Sequence, residues 1–282
     1  MKRPLMTALP SNQISLDSQV LNVCFVVVTV MSVLSCLLLL WALVSPESMA
    51  ARRGWPESLA LLSLTAATLL GASRHLPVQN IALAAVLIGV TGAGVHGLSA
   101  ATAVPFGPVT YTLRFGPKFL DIFSWAMPFL WIIAVLNSRG VARLILRPWR
   151  KLKNYGLWLI AMTAALVMIF DFALEPFATL VREFWLWQPT KLPWAWHGMP
   201  LVNSFAWLGL TVLILSFTTP ALIGKKQRPS KSPPDYFPLG VWLGCVVMFG
   251  IGAWTGGLWT AVAFSCAAAI VVTVFAVRGA RW

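Results

Sequence analysis

Acidic side chains are scarce in this sequence: 8 Asp and Glu in 282 residues, against 21 Lys and Arg. Charged residues of both signs make up only 10% of the chain, against the roughly 25% usual in soluble domains. A solvated surface cannot be built from so few charges, which excludes a soluble enzyme. Cysteine is scarce too. Cys24, Cys36, Cys245 and Cys266 all lie in apolar stretches without a CxxC pair. That excludes a disulfide framework and a zinc site and marks them as small packing residues. The three histidines, His75, His96 and His197, are far apart, so the clustered histidine boxes of a membrane di-iron oxygenase are missing. No metal and no cofactor is expected.

What the chain does have is apolar length. Hydrophobic residues make up 59% of it and the mean hydropathy is +0.80. A bilayer core takes about 20 apolar residues per helix, and eight stretches qualify: Val20–Val44, Trp55–Ser73, Val78–Leu98, Lys118–Asn137, Gly156–Val181, Leu201–Ile223, Phe237–Trp254 and Leu258–Val277. The first follows Lys2 and Arg3 but is longer than the h-region of a cleaved signal peptide, so it reads as an anchor. With the N-terminus inside, 15 of the 21 basic residues fall in inner segments and 6 in outer ones. The positive-inside rule describes that asymmetry for an even number of spans. The net charge of +13 is therefore topology, and it implies no nucleic-acid partner.

The expected fold is all-α: a polytopic integral membrane helical bundle of about eight transmembrane helices, both termini cytoplasmic. One transmembrane domain covers 1–282. It has a cytoplasmic N-terminal segment (1–19), basic cytoplasmic loops (139–155 and 224–236) and outer loops (99–117 and 182–200). A bacterial inner membrane is the expected location, with membrane lipids as partners. The basic 139–153 segment is either an ordinary topology-determining loop or an interfacial segment against anionic lipid. KKQRPSKSPP (225–234) is a polar linker, and no internal repeat is evident.

Ionisable groups inside a span are costly, by roughly 2.5–3.5 kcal/mol at a helix centre. Asp171 lies about 15 residues into the fifth span, with Glu175 at i+4 on the same face. Two carboxylates stacked there do not both ionise without a cation nearby. They serve either a proton-handling site or a buried polar contact that fixes helix packing. Pro176 removes a backbone donor and frees the Phe172 carbonyl. Asp121, at the start of the fourth span with Trp125, and His96, at the end of the third, are expected at the same outer level. Two unusual outer loops flank them: VPFGPVTYTLRFGPK (104–118) and EFWLWQPTKLPWAWHGMPLVN (183–203). Trp185, Trp187, Trp194 and Trp196 fall within twelve positions and suggest either an interfacial belt or the wall of a cavity. GAGVHG (92–97) matches a dinucleotide fingerprint but lacks the strand that would precede it. It reads instead as a small-residue packing stripe of Gly89, Ala93 and Gly97, as do Gly240 with Gly244 and Gly252 with Gly256.

Three stretches, PFGPVTYTLRFGPKFLDIF (105–123), FDFALEPFA (170–178) and PWAWHGMPLVNSFAW (193–207), resemble the carotenoid biosynthesis family typified by bisanhydrobacterioruberin hydratase and the bacterial carotenoid 1,2-hydratases. Asp171, Tyr111, Gly116, Pro117, Pro200 and Asn203 fit the family pattern. The chain departs from it at His96, at Pro108-Val109-Thr110 and at Glu175. The resemblance implies an enzyme that adds water to the terminal double bond of an acyclic carotenoid or other isoprenoid lipid. Such chemistry needs a dry acid, a cation-stabilising surface and a positioned water. In that reading Asp171 is the acid, with Glu175, His96 and Asp121 as its catalytic partners. Tyr111, Trp125, Trp194, Trp196, Asn203 and Trp207 bind substrate, and other carotenoid-pathway enzymes are possible partners. A proton-coupled transporter and a non-catalytic scaffold subunit are the rival classes.

Overall fold

The computed structural model describes residues 11–45, 55–191, 194–223 and 233–282, with side chains of the first helix from Gln19 onward. The expected N-terminal segment up to residue 10, the outer stretch holding Arg52 and Arg53, and 224–232 of the polar linker lie outside the described residues.

Among the described residues eight long helices carry the fold: α1 (Ser11–Val44), α2 (Trp55–Ser73), α3 (Val78–Thr102), α4 (Met127–Ile145), α5 (Tyr155–Pro176), α6 (Leu201–Thr218), α7 (Phe237–Thr255) and α8 (Trp259–Ala280). Seven of them are long and apolar enough to cross a membrane, all but α2. At 19 residues, or about 28 Å at 1.5 Å per residue, α2 nearly matches the ~30 Å of a hydrocarbon core. Its lower hydropathy has a packing cause. Glu57, Thr65 and Thr68 are buried inside the bundle, where Asn137 Nδ2 of α4 donates to Thr68 Oγ1 at 2.9 Å.

The core is built around α4, which packs against α2, α3, α5, α7 and α8. α1 lies against α2 at the rim, where Ser35 and Ser63 hydroxyls meet at 2.7 Å. Its exposed Val and Leu side chains form the kind of surface lipid covers. Close approach of α3 to α4 depends on Gly92, since a Cβ there would overlap the Trp131 indole. Gly252 and Gly256 lie likewise against Phe177 and Val181. Gly240 and Gly244 differ from the expected packing stripe: a Cβ at either meets nothing within 4 Å, and both line a cavity.

The fourth span begins later than expected. Residues 118–126 are not helical: β2 (Lys118–Phe119) pairs antiparallel with β3 (Phe123–Ser124). Leu120 and Asp121 make the tight turn with φ of 49° and 58°. Pro128, in the first turn of α4, suits a helix start. α4 then continues to Ile145, so Arg139 and Arg143 belong to the helix rather than to a loop.

The two ends of the bundle are chemically sorted. Arg139 reaches the Leu222 carbonyl, His75 pairs with Asp235, and Gly140 abuts Pro238, all at the basic end. The opposite end holds loops with short strands. These include β1 (Val109–Tyr111), β4 (Trp185–Trp187) and the antiparallel pair β5 (Ala195–Trp196) and β6 (Met199–Pro200).

Candidate functional site

The site starts from a break in α5. Pro176 has no N–H to give, and past it the chain widens into a π turn over Phe177–Val181, closed by Arg182 N–H to Phe177 O at 3.0 Å. The carbonyl that Pro176 frees, that of Phe172, accepts a hydrogen bond from Trp196 Nε1 at 3.0 Å. One tryptophan of the loop after α5 thus closes the break. One turn before it, Asp171 is 0% and Glu175 2% exposed.

A two-stranded ribbon caps these acids. β1 and β4 pair antiparallel with Val109 opposite Trp187 and Tyr111 opposite Trp185. Side chains alternate across such a ribbon, so both pairs point inward while Thr110 and Leu186 face out. Trp185 Nε1 and Trp187 Nε1 then donate to one oxygen, Glu175 Oε2, at 3.2 and 2.9 Å. From the first turn of α6, Asn203 Nδ2 lies 3.0 Å from Asp171 Oδ2 and 3.3 Å from Glu175 Oε1, bridging the two carboxyls. Ser204 Oγ donates to Asp171 Oδ2 at 2.7 Å. The positive end of the α6 dipole faces the pair and favours negative charge there.

His96 joins the cluster through Tyr111, whose hydroxyl lies 2.7 Å from His96 Nδ1. Burial first, and then the charge of Glu175, push the Tyr111 hydroxyl well above the usual phenol range, so it stays protonated. The imidazole stacks on Phe106 at 4.2 Å between ring centres and meets Trp131 and Trp207, which stack on each other at 4.1 Å. His96 Nε2, the Trp131 and Trp207 indole nitrogens and Asn203 Oδ1 are buried without hydrogen-bond partners. Trp207 is one helical turn from Asn203, so Glu175, Asn203, Trp207, His96 and Tyr111 form a closed ring of neighbours.

Not every expected residue is here. Asp121 sits exposed at the tip of the β2–β3 hairpin, away from the acid pair, because the chain there turns instead of beginning a helix. Trp125 Nε1 donates to Phe115 O at 2.7 Å and its ring covers Gly116, which braces the loop. Trp194 is 80% exposed. Ser204 and the hydrogen bonds of Trp185 and Trp187 to Glu175 are not foreseen, although Trp185 does line a cavity as expected. The i, i+2 spacing in Trp185-Leu-Trp187 is the signal that a strand face would give.

An apolar cavity of about 440 Å³ lies beside the pair, within the range of ligand sites. Phe170, Leu174, Phe177 and Trp185 line it next to the acids, and α1, α2, α4 and α7 complete the wall. Its lining along α7 runs from Phe237 to Phe249, about 18 Å of helix. Glu57, 4% exposed, lines it too and pairs with Arg182, a buried ion pair between residues far apart in the sequence.

The profile of a family described as carotenoid biosynthesis protein matches residues 57–273. Bisanhydrobacterioruberin hydratase of Haloarcula japonica is 27% identical over 142 residues, covering 49% of this chain and 46% of that protein. The match thus spans less than half the length of this curated relative. No solved structure matches.

Proposed function

Because the chain belongs to the carotenoid biosynthesis protein family, we propose that it adds water across the terminal C=C bond of an acyclic carotenoid end group, within the membrane. The observation that carries this reading is the Asn203 amide bridging two fully buried carboxyls whose hydrogen-bond partners among the described residues include no cation. Two anions so placed in a low-dielectric interior repel strongly, so the pair holds one proton at neutral pH. The partners say where. Indole N–H groups only donate, so Glu175 Oε2, facing two of them, is the charged member. Asp171 accepts from Ser204 at Oδ2, whereas its Oδ1 meets the Asn203 amide at a longer 3.2 Å and carries the proton.

In the reaction Asp171 transfers that proton to the less substituted alkene carbon; the π bond breaks and leaves a tertiary cation. The faces of the Trp131–Trp207 stack and of Phe106 stabilise it. The oxygen of a water, oriented by His96 Nε2, bonds to the cationic carbon, and the water's spare proton passes to Glu175. Proton exchange between the two acids, both held by Asn203, restores the starting state, so the net change is alkene plus water to tertiary alcohol. Tyr111 fixes the His96 ring, and Trp196 and Trp125 act as braces. The elongated apolar cavity takes the isoprenoid chain, with Trp185 as the partition its end group passes to reach Asp171.

A proton-coupled transporter would use the same carboxyls and the break at Pro176, but Trp196 closes that break. Expression in a lycopene-producing host tests the proposal. The expected result is a pigment heavier by one water; an unchanged pigment profile from well-inserted protein overturns it.

A further inference from the structure

The apolar cavity beside the acid pair is open on one side, and its lining shows which. Among the described residues that form its wall, four are also exposed: Val33 and Leu37 of α1, and Gly240 and Gly244 of α7. Val33 and Leu37 are each 54% exposed. Other lining residues of the same two helices, Ser32, Leu39, Val241 and Cys245, are buried. The walls contributed by α2, α4, α5 and the loops hold no exposed residue either. The mouth of the cavity therefore lies between α1 and α7.

Both helices are long and apolar enough to cross a membrane, and the four residues at the mouth carry no polar side chain. An opening so placed faces hydrocarbon rather than water. A Cβ at Gly240 or Gly244 would meet nothing within 4 Å. These glycines therefore do not bring two helices together, as Gly92 does for α3 and α4. They leave free space that any larger side chain would occupy. α1 borders this space loosely, because it packs mainly on α2 and less on α7. Phe25 and Phe237, with ring centres 4.8 Å apart, join α1 to α7 on the N-terminal side of the mouth and bound it there.

The size of the cavity gives the opening a purpose. It extends along about 18 Å of α7, and an extended acyclic carotenoid is longer than that. With one end group at Trp185, the rest of such a chain has to leave the cavity. Leaving into hydrocarbon keeps its apolar surface out of water. We propose that the substrate binds across the lipid-facing surface at this gap, its reacting end in the cavity and its far part in the bilayer. Gly240 and Gly244 set the width of the crossing, which makes them admission residues rather than packing residues. This crossing rests on the reading of the substrate as an acyclic isoprenoid.

The test uses the full chain made in a lycopene-producing host and purified in mild detergent. Visible absorbance gives the pigment retained per protein, and mass spectrometry gives the mass of that pigment. Gly240→Leu with Gly244→Leu lowers retention at least tenfold, because the new side chains fill the gap. Gly209→Leu, on α6 with equally open surroundings and outside the cavity, changes it less than twofold. Val33→Trp narrows the gap from the α1 side and lowers retention, whereas Leu34→Trp, exposed but not lining the cavity, does not. Gly244→Ala alone gives a smaller loss and serves if the double leucine variant does not insert. Wild-type protein holding pigment of unaltered mass, with the glycine variants losing it, supports the crossing and overturns hydration. Hydrated pigment retained equally by the wild type and the glycine variants overturns the crossing and leaves hydration standing. An equal loss in Gly209→Leu, or a wild type that retains no pigment, also overturns the crossing.

Discussion

Trp185 faces two ways: its Nε1 donates to Glu175 Oε2 at 3.2 Å, while its ring lines the apolar cavity. One side chain is thus both the wall of the space that suits an isoprenoid chain and a hydrogen-bond donor to the acid pair.

Trp185→Phe keeps an aromatic wall and removes the N–H. A hydrogen bond to a charged group contributes about 1.5–3 kcal/mol, so product formation in membranes should fall about tenfold or more. Trp187→Phe should act in the same direction, because it removes the second donor to the same oxygen. Pigment analysis normalised to inserted protein checks both.

Tyr111→Phe leaves His96 Nδ1 buried without its partner. An unsatisfied buried polar group costs about 1–3 kcal/mol. The variant should unfold at lower temperature in detergent and hydrate more slowly. Asp121→Asn, at the exposed hairpin tip, should match the wild type in both measurements.

Glu57 and Arg182 should show strong coupling. Removing one partner of a buried ion pair costs about 3–5 kcal/mol because the other charge is stranded, whereas an apolar replacement of both is often neutral. Glu57→Leu and Arg182→Leu should each lower stability, and the double variant should recover most of the loss in a double-mutant cycle by thermal unfolding.

Gly92→Ala places a Cβ into the Trp131 indole. Overpacking of this kind costs about 1–3 kcal/mol and should shift thermal unfolding accordingly. Gly244→Ala, at a position with nothing within 4 Å, should leave stability unchanged while narrowing the apolar cavity.

The helices are legible in the sequence because a bilayer forces each into a long apolar run, and the stacking of Asp171 and Glu175 follows from their i, i+4 spacing. The carbonyl freed by Pro176 is legible too, although the identity of its partner, Trp196, is not. The ribbon of β1 and β4 stays hidden because its three-residue strands lie more than seventy positions apart and carry too little pattern to reveal their pairing. The hairpin around Asp121 passes for the start of a span because its apolar residues run straight into those of α4. Glu57 and Arg182 are likewise joined only by the packing of distant helices. Hydropathy cannot separate Gly240 and Gly244, which line a cavity, from Gly252 and Gly256, which touch a neighbour.

The most direct test of Asp171 as the proton donor is hydration by isolated membranes supplied with an acyclic carotene in ¹⁸O-labelled water. Wild-type membranes should yield an alcohol carrying the label, with none from labelled dioxygen. Asp171→Asn, inserted at the same level, should reduce the product at least a hundredfold. Hydration by Asp171→Asn at the wild-type rate, or a hydroxyl whose oxygen does not come from water, would contradict the account.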